Sequence, residues 1–270
     1  MKVQDRLAFD RWQRLSVPCE SMVELSLVNC LTTPGGGLAC VLGKCRTLER
    51  LQLDMCVGIR DCDLMNLARE SDNLRSISLR VPSDFSLPIS MADPSRLIDE
   101  SLKAFANNCS KLETFKVSFS DGEFPSFSSF TLNGILLVIH RCPIRVLALV
   151  HIYSFTDSGM EALCDANFLE TLELTKCQEV TDEGLQLVQH FRCLRNLKIS
   201  KCLGVTDGCT SLTCCYLISR HLRNHASPIK LRVKNLLHAS VAAVAHARIG
   251  SGPIMNTDPA PDKTFSPPTT

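Results

Sequence analysis

The stretch Leu169-Glu170-Thr171-Leu172-Glu173-Leu174-Thr175-Lys176-Cys177-Gln178-Glu179-Val180-Thr181-Asp182-Glu183-Gly184-Leu185-Gln186-Leu187 decides the architecture, because its spacing recurs on both sides. Leu169, Leu172 and Leu174 read L-x-x-L-x-L-x-x-C, and the last two leucines alternate with Glu173 and Thr175 at the period of a short strand. Val180, Leu185 and Leu187 then need burial from the other side. Asp182 stands just before the apolar run opened by Gly184, where a carboxylate caps a helix N-terminus, so each unit reads strand, turn, helix, return. No unit of this size buries its own leucines, and neighbouring units must stack.

Working outward, Leu194-x-x-Leu197-x-Ile199-x-x-Cys202-x-x-Val205-Thr206-Asp207 repeats the pattern downstream. Upstream, Ile144-x-x-Leu147-x-Leu149 keeps the phase, with Ile152 in place of the turn Cys and Phe155-Thr156-Asp157-Ser158-Gly159-Met160 where Val-Thr-Asp-x-Gly-Leu stands later. Met22-x-x-Leu25-x-Leu27-x-x-Cys30 and Leu48-x-x-Leu51-x-Leu53-x-x-Cys56 open the series, the first followed by Gly35-Gly36-Gly37, which reads as a repeat turn because no Lys-Ser/Thr follows to make a phosphate loop. Leu74-x-x-Ile77-x-Leu79 and Leu112-x-x-Phe115-x-Val117 keep the strand but insert Val81 to Pro88 with a further segment to Leu97, and Asp121 to Phe130. About seven repeats thus fill 21–208, and two neighbours project extra loops.

The ends follow other rules. Residues 1–20 are expected to form an amphipathic lead-in helix through Leu7, Phe9, Trp12 and Leu15, the convex element of an incomplete repeat. After Gly208 the pattern breaks, and 209–270 reads as a divergent tail with one degenerate strand at Leu231, Val233 and Asn235 and disorder from about residue 253. So abrupt a loss within a repeat suggests a frame change or unspliced segment replacing the last repeats.

With 270 residues and a formal charge of +1, the chain has ample core and no bulk electrostatic sign of nucleic acid or an anionic membrane. Charges interrupt the N-terminal residues, and no apolar run reaches the roughly 18 residues of a membrane span. Several of the 15 cysteines fall at a fixed repeat phase, as buried small apolar side chains do, which points to a reducing cytoplasm or nucleus.

Seven phased units with a recurrent turn Cys resemble the cysteine-containing leucine-rich repeat, L-x-x-L-x-L-x-x-C-x-x-I/V-T-D-x-G-L, common in the C-terminal part of F-box proteins. The span Asp5 to Asp207, with Val81-Pro-Ser-Asp-Phe-Ser-Leu-Pro88 and Phe119-Ser-Asp-Gly-Glu-Phe-Pro-Ser-Phe-Ser-Ser-Phe130, is more narrowly similar to plant F-box/LRR-repeat proteins of the fourteen type. The resemblance implies an α/β leucine-rich-repeat solenoid, a horseshoe with parallel strands on its concave face and helices on its convex face. It also implies substrate recognition in an SCF-type ubiquitin ligase, with an F-box binding the Skp1 adaptor. No F-box module precedes the repeats here, and Asp10-Arg-Trp12-Gln-Arg-Leu15 resembles the end of one only superficially, so the chain is expected to be the substrate-binding portion, truncated at both ends. The other readings are a ligase-independent scaffold and a nonproductive isoform.

Stacked parallel strands about 4.8 Å apart turn the residues flanking the buried leucines into one continuous surface. Its candidates are Ser26 and Val28, Gln52 and Asp54, Ser78 and Arg80, Lys116 and Ser118, Ala148 and Val150, Glu173 and Thr175, and Lys198 and Ser200, whose mixed signs do not make a phosphate-tracking stripe. In the insertions, Phe85, Phe124, Phe127 and Phe130, flanked by Asp84, Asp121 and Glu123, either form a rim pocket for a partner or a small ligand or fold back over the core.

No catalytic residue, metal ligand or cofactor is expected. Cys177 and Cys202 each precede an Asp by five residues, but they recur at one phase and no His shares it, so they read as core. Cys214-Cys215 with His221 and His225 lacks the usual ligand spacing for zinc. Asn108-Cys109-Ser110 fits a glycosylation sequon, yet Cys109 shares the helix-end phase of Cys45 and Cys142 and reads as buried.

Overall fold

The computed structural model describes residues 2–4, 21–30, 45–82, 97–119, 130–206, 209 and 230–234. Nine parallel strands among them form one sheet in sequence order: β1 (Lys2–Gln4), β2 (Glu24–Val28), β3 (Arg50–Asp54), β4 (Ser76–Val81), β5 (Thr114–Phe119), β6 (Val146–Val150), β7 (Thr171–Thr175), β8 (Asn196–Ser200) and β9 (Lys230–Lys234). The crossovers carry α1 (Asp61–Glu70), α2 (Asp99–Asn108), α3 (Leu132–Arg141), α4 (Asp157–Leu163) and α5 (Asp182–Gln186), the last tightening into a 3-10 turn over Leu187–His190. Helices pack about 8–10 Å apart and strands about 4.8 Å, so the stack bends with the sheet on its inner, concave side.

Alternation sets the register. Leu25, Leu51, Ile77, Phe115, Leu147, Leu172 and Leu197 align in one buried row, and Leu27, Leu53, Leu79, Val117, Leu149, Leu174 and Ile199 in a second. Slipping any of β2 to β8 by one residue would bring both its buried apolar residues to the surface. The sheet runs past the seven repeats at both ends: Lys2–Gln4, expected within a lead-in helix, is a strand beside β2, and β9 pairs with β8. Residues 5–20, with Trp12, and the segments 210–229 and 235–270, with the Cys214, Cys215, His221 and His225 group, lie outside the described residues, as does Gly35-Gly36-Gly37.

Where the turn Cys is kept, the residue before it is left-handed: Asn29 (φ 54°), Met55 (52°), Lys176 (55°) and Lys201 (56°), with His151 (59°) before Ile152. Each of the first four turns the chain inward so that the next side chain is buried, and Asn29, Met55, His151 and Lys176 extend the ladder by donating to the following strand. In the two repeats with insertions the strand instead runs one residue further, to Val81 and Phe119. The Cys56, Cys177 and Cys202 thiols donate to carbonyls of the preceding repeat, Leu27, Leu149 and Leu174, and Cys109 and Cys142 close the ends of α2 and α3 in the same manner.

The Thr-Asp-x-Gly signature has a division of labour that corrects the expected role of Asp182. Thr181, not Asp182, is the N-cap of α5: its hydroxyl accepts from the Glu183 N–H. The Asp182 carboxylate reaches forward to the next repeat, accepting the Thr206 N–H (2.7 Å) and hydroxyl (2.7 Å). Asp157 does the same for Thr181 and Asp99 for Thr131, while Asp61 accepts the N–H groups of Ile98 and Ser101. The Gly completes the device, since a Cβ on Gly184 would lie 2.1 Å from Asp157 Oδ1 and one on Gly134 2.3 Å from Asp99 Oδ1. The series skips one joint, because Leu132 occupies the Asp position opposite Thr156. In the 3-10 turn after α5, Val188 rather than Leu187 is fully buried, because the tighter turn advances the face.

Candidate protein-binding face

The inner face is built by the same register that buries the leucines. It aligns Ser26, Gln52, Ser78, Lys116, Ala148, Glu173 and Lys198 as one outward row, and Val28, Asp54, Arg80, Ser118, Val150, Thr175 and Ser200 as the next. Gln52, Arg80, Lys116 and Lys198 are exposed; Asp54, Ser78, Ser118, Glu173, Thr175 and Ser200 are half-buried. Ser26, 7% exposed and in register with Lys2, offers little surface. A third outward row, Glu24, Arg50, Ser76, Thr114, Val146, Thr171 and Asn196, was missed by the motif, which begins counting at the first strand leucine.

Charges on this face are organised across strands. Arg50 pairs with Glu24 (3.2 Å), Arg80 lies 3.6 Å from Asp54, and Lys198 pairs with Glu173 (3.3 Å), each with its register partner. Arg75–Glu113 (3.2 Å) and Arg145–Glu170 (2.7 Å) form a second set at the strand entrances. Exposed pairs of this kind contribute about 0–1 kcal/mol each, so they keep charges mutually occupied more than they stabilise the stack.

The insertions leave from the opposite, C-terminal ends of β4 and β5. Asp84, Phe85, Asp121, Glu123, Phe124 and Phe127 lie outside the described residues. Phe130, expected as either an anchor or a cover for the core, is a core side chain, 1% exposed and edge-on to Phe119 with ring centroids 6.0 Å apart. Both ends of this insertion are held by one segment of the next repeat: His151 Nδ1 contacts the Phe119 carbonyl (3.2 Å) and the Ser154 hydroxyl donates to the Phe130 carbonyl (2.7 Å). His151 also stacks on Tyr153, 6.3 Å between centroids. Nothing in the repeat spacing marks His151 or Ser154, because the carbonyls they meet are in another unit.

The thiols are placed for packing. Burial pushes the Cys56 and Cys109 thiols up to about 12 and Cys142 to about 11, and Cys177, hydrogen-bonded to Cys202 and buried, is held well above the usual thiol range. Thiols kept protonated against carbonyls are poor nucleophiles. Among the described residues no three His, Cys, Asp or Glu side chains gather as a metal site, and no helix is long and apolar enough to cross a membrane. Within the sequon, the Asn108 side-chain amide donates to the Ala104 carbonyl (2.8 Å) beside fully buried Cys109.

Parallel strands in sequence order, helices on the outer side and two buried leucine rows define an α/β leucine-rich-repeat solenoid. A family model described as Leucine Rich repeat matches residues 166–188, the unit around Leu172 and Leu174. The leucine-rich repeat is a protein-binding repeat, and the three outward rows form the open face of its sheet.

Proposed function

We propose that this solenoid is the substrate-recognition part of an SCF-type E3 ubiquitin ligase, its inner face and insertion loops holding the protein to be ubiquitinated. The observation that carries the reading is the run of outward rows across seven stacked repeats, with two neighbouring insertions at one end of the strands. The ligase context comes from the resemblance over Asp5 to Asp207. In this reading the chain binds and does no chemistry of its own, takes no cofactor, and works in the cytoplasm or nucleus. The Skp1 adaptor binds a full-length form through its F-box, while Asp84, Phe85, Asp121, Glu123, Phe124 and Phe127 add specificity to the inner face.

The test is a pull-down from native extract with the whole chain and with Phe124→Ala/Phe127→Ala, leaving Phe130 in place because it is core. Circular dichroism of the two must match. A partner retained by the first, lost by the second and ubiquitinated in a cullin-dependent manner supports the proposal. A partner that is bound but never ubiquitinated points to a ligase-independent scaffold, and no partner at all to a nonproductive form.

A further inference from the structure

On the inner face, the three carboxylates of the outward rows, Glu24, Asp54 and Glu173, each face a cation, Arg50, Arg80 and Lys198. Lys116 has no such partner among the described residues. It is exposed at the middle of the sheet, in register with Ser78 on one side and Ala148 on the other, and it follows Thr114 and precedes Ser118 on its own strand's outer face. Its neighbours are short, so they leave the ammonium accessible, and three of them carry hydroxyls able to donate to an anion.

A partner that covers this face must deal with Lys116. A neutral or basic surface would bury an uncompensated ammonium, which costs free energy; an Asp or Glu placed there makes a charge-assisted hydrogen bond as water leaves. This cation therefore both attracts one class of partner and rejects others. We infer that the inner face selects its protein partner through an acidic residue seated on Lys116. This rests on the inner face being the binding surface and adds the charge of what binds there.

The experiment uses the full chain and two fluorescent extended peptides, one alternating Glu and Ser, the other Lys and Ser, read by anisotropy. A photocrosslinking p-benzoylphenylalanine is placed at Thr175 on the inner face or at Lys103 on outward-facing α2. The expected result is binding of the acidic peptide alone, crosslinking from Thr175, roughly tenfold weaker binding for Lys116→Glu, a smaller loss for Lys116→Ala and no change for Lys103→Ala. Crosslinking from Thr175 with equal binding of both peptides, or with Lys116→Glu harmless, overturns the acidic selection and leaves the inner face as a binding surface. Crosslinking only from position 103 overturns both. Binding of neither peptide overturns the acidic selection.

Discussion

The Asp157 carboxylate holds the N-terminus of a helix it does not belong to: Oδ1 accepts the Thr181 N–H at 2.8 Å and Oδ2 the Thr181 hydroxyl at 2.6 Å, across 24 residues of chain. Thr181 in turn caps its own helix through Glu183 N–H, so one carboxylate orders two successive repeats. Asp157→Ala should lower stability by about 1–3 kcal/mol, the range for a charge-assisted hydrogen bond lost from a partly buried site. Asp157→Asn, which keeps one acceptor, should lose less. Urea denaturation of the full chain measures both; equal stability of Asp157→Ala and the parent would show the bridge to be energetically silent.

Gly184→Ala tests the space that bridge requires. In an ordinary helix Ala is about 1 kcal/mol better than Gly. Here the added Cβ would meet Asp157 Oδ1 at 2.1 Å, so the substitution should destabilise despite propensity. With Asp157→Ala also in place the clash is gone, and the double variant should be more stable than the sum of the single losses by about 1 kcal/mol or more. A double variant that is simply additive would separate the two residues.

Local opening should follow the interrupted series. Thr131, Thr181 and Thr206 each donate their backbone N–H to an Asp of the repeat before, whereas Leu132 stands where Thr156 would need one. Hydrogen exchange read by NMR should therefore show faster exchange at the Thr156 amide than at Thr181 or Thr206. Uniform protection across these four amides would contradict it.

Stability should fall in alkaline solution. Burial raises the Cys56 and Cys109 thiols from an ordinary 9.0 to about 12 and Cys142 to about 11, so the folded chain keeps protons that the unfolded chain releases above pH 9. Between these values the unfolded state binds fewer protons, and stability drops by at most about 1.4 kcal/mol per pH unit per thiol. Below pH 9 the contribution is fully present. Denaturation midpoints across this range should fall less steeply for Cys56→Ala than for the parent, and an identical slope would remove Cys56 as a contributor. Alkylation mapped by mass spectrometry at neutral pH should reach exposed Cys62 and Cys193 well before Cys56, Cys109 and Cys142.

Much of the fold was legible because it depends on local hydropathy. The alternation around Leu172 and Leu174 and the phase of Cys177 define strand, turn and helix wherever they recur, and the register of β2 to β8 follows from burying the same two positions each time. Two of the three outward rows follow from the repeat motif alone, since they are the residues between and after those leucines. Less was visible at the ends, where Lys2–Gln4 is a strand and the amphipathic spacing suggested a helix: three residues next to an open sheet edge are held by the neighbouring strand's hydrogen bonds more than by their own pattern.

What the sequence by itself determined is the repeat, its period, its two buried rows and the side of the sheet that faces outward, because side-chain hydropathy within one unit is enough to dictate them. The tertiary structure decided which groups meet between units. Asp182 serves Thr206 rather than its own helix, Arg50 and Lys198 are spoken for while Lys116 has no such partner among the described residues, and Phe130 packs under Phe119 instead of reaching outward. These outcomes turn on the offset between residues more than 10 positions apart, from the 11 that separate the two phenylalanines to the 26 between Glu24 and Arg50, and that offset exists only once the strands have stacked.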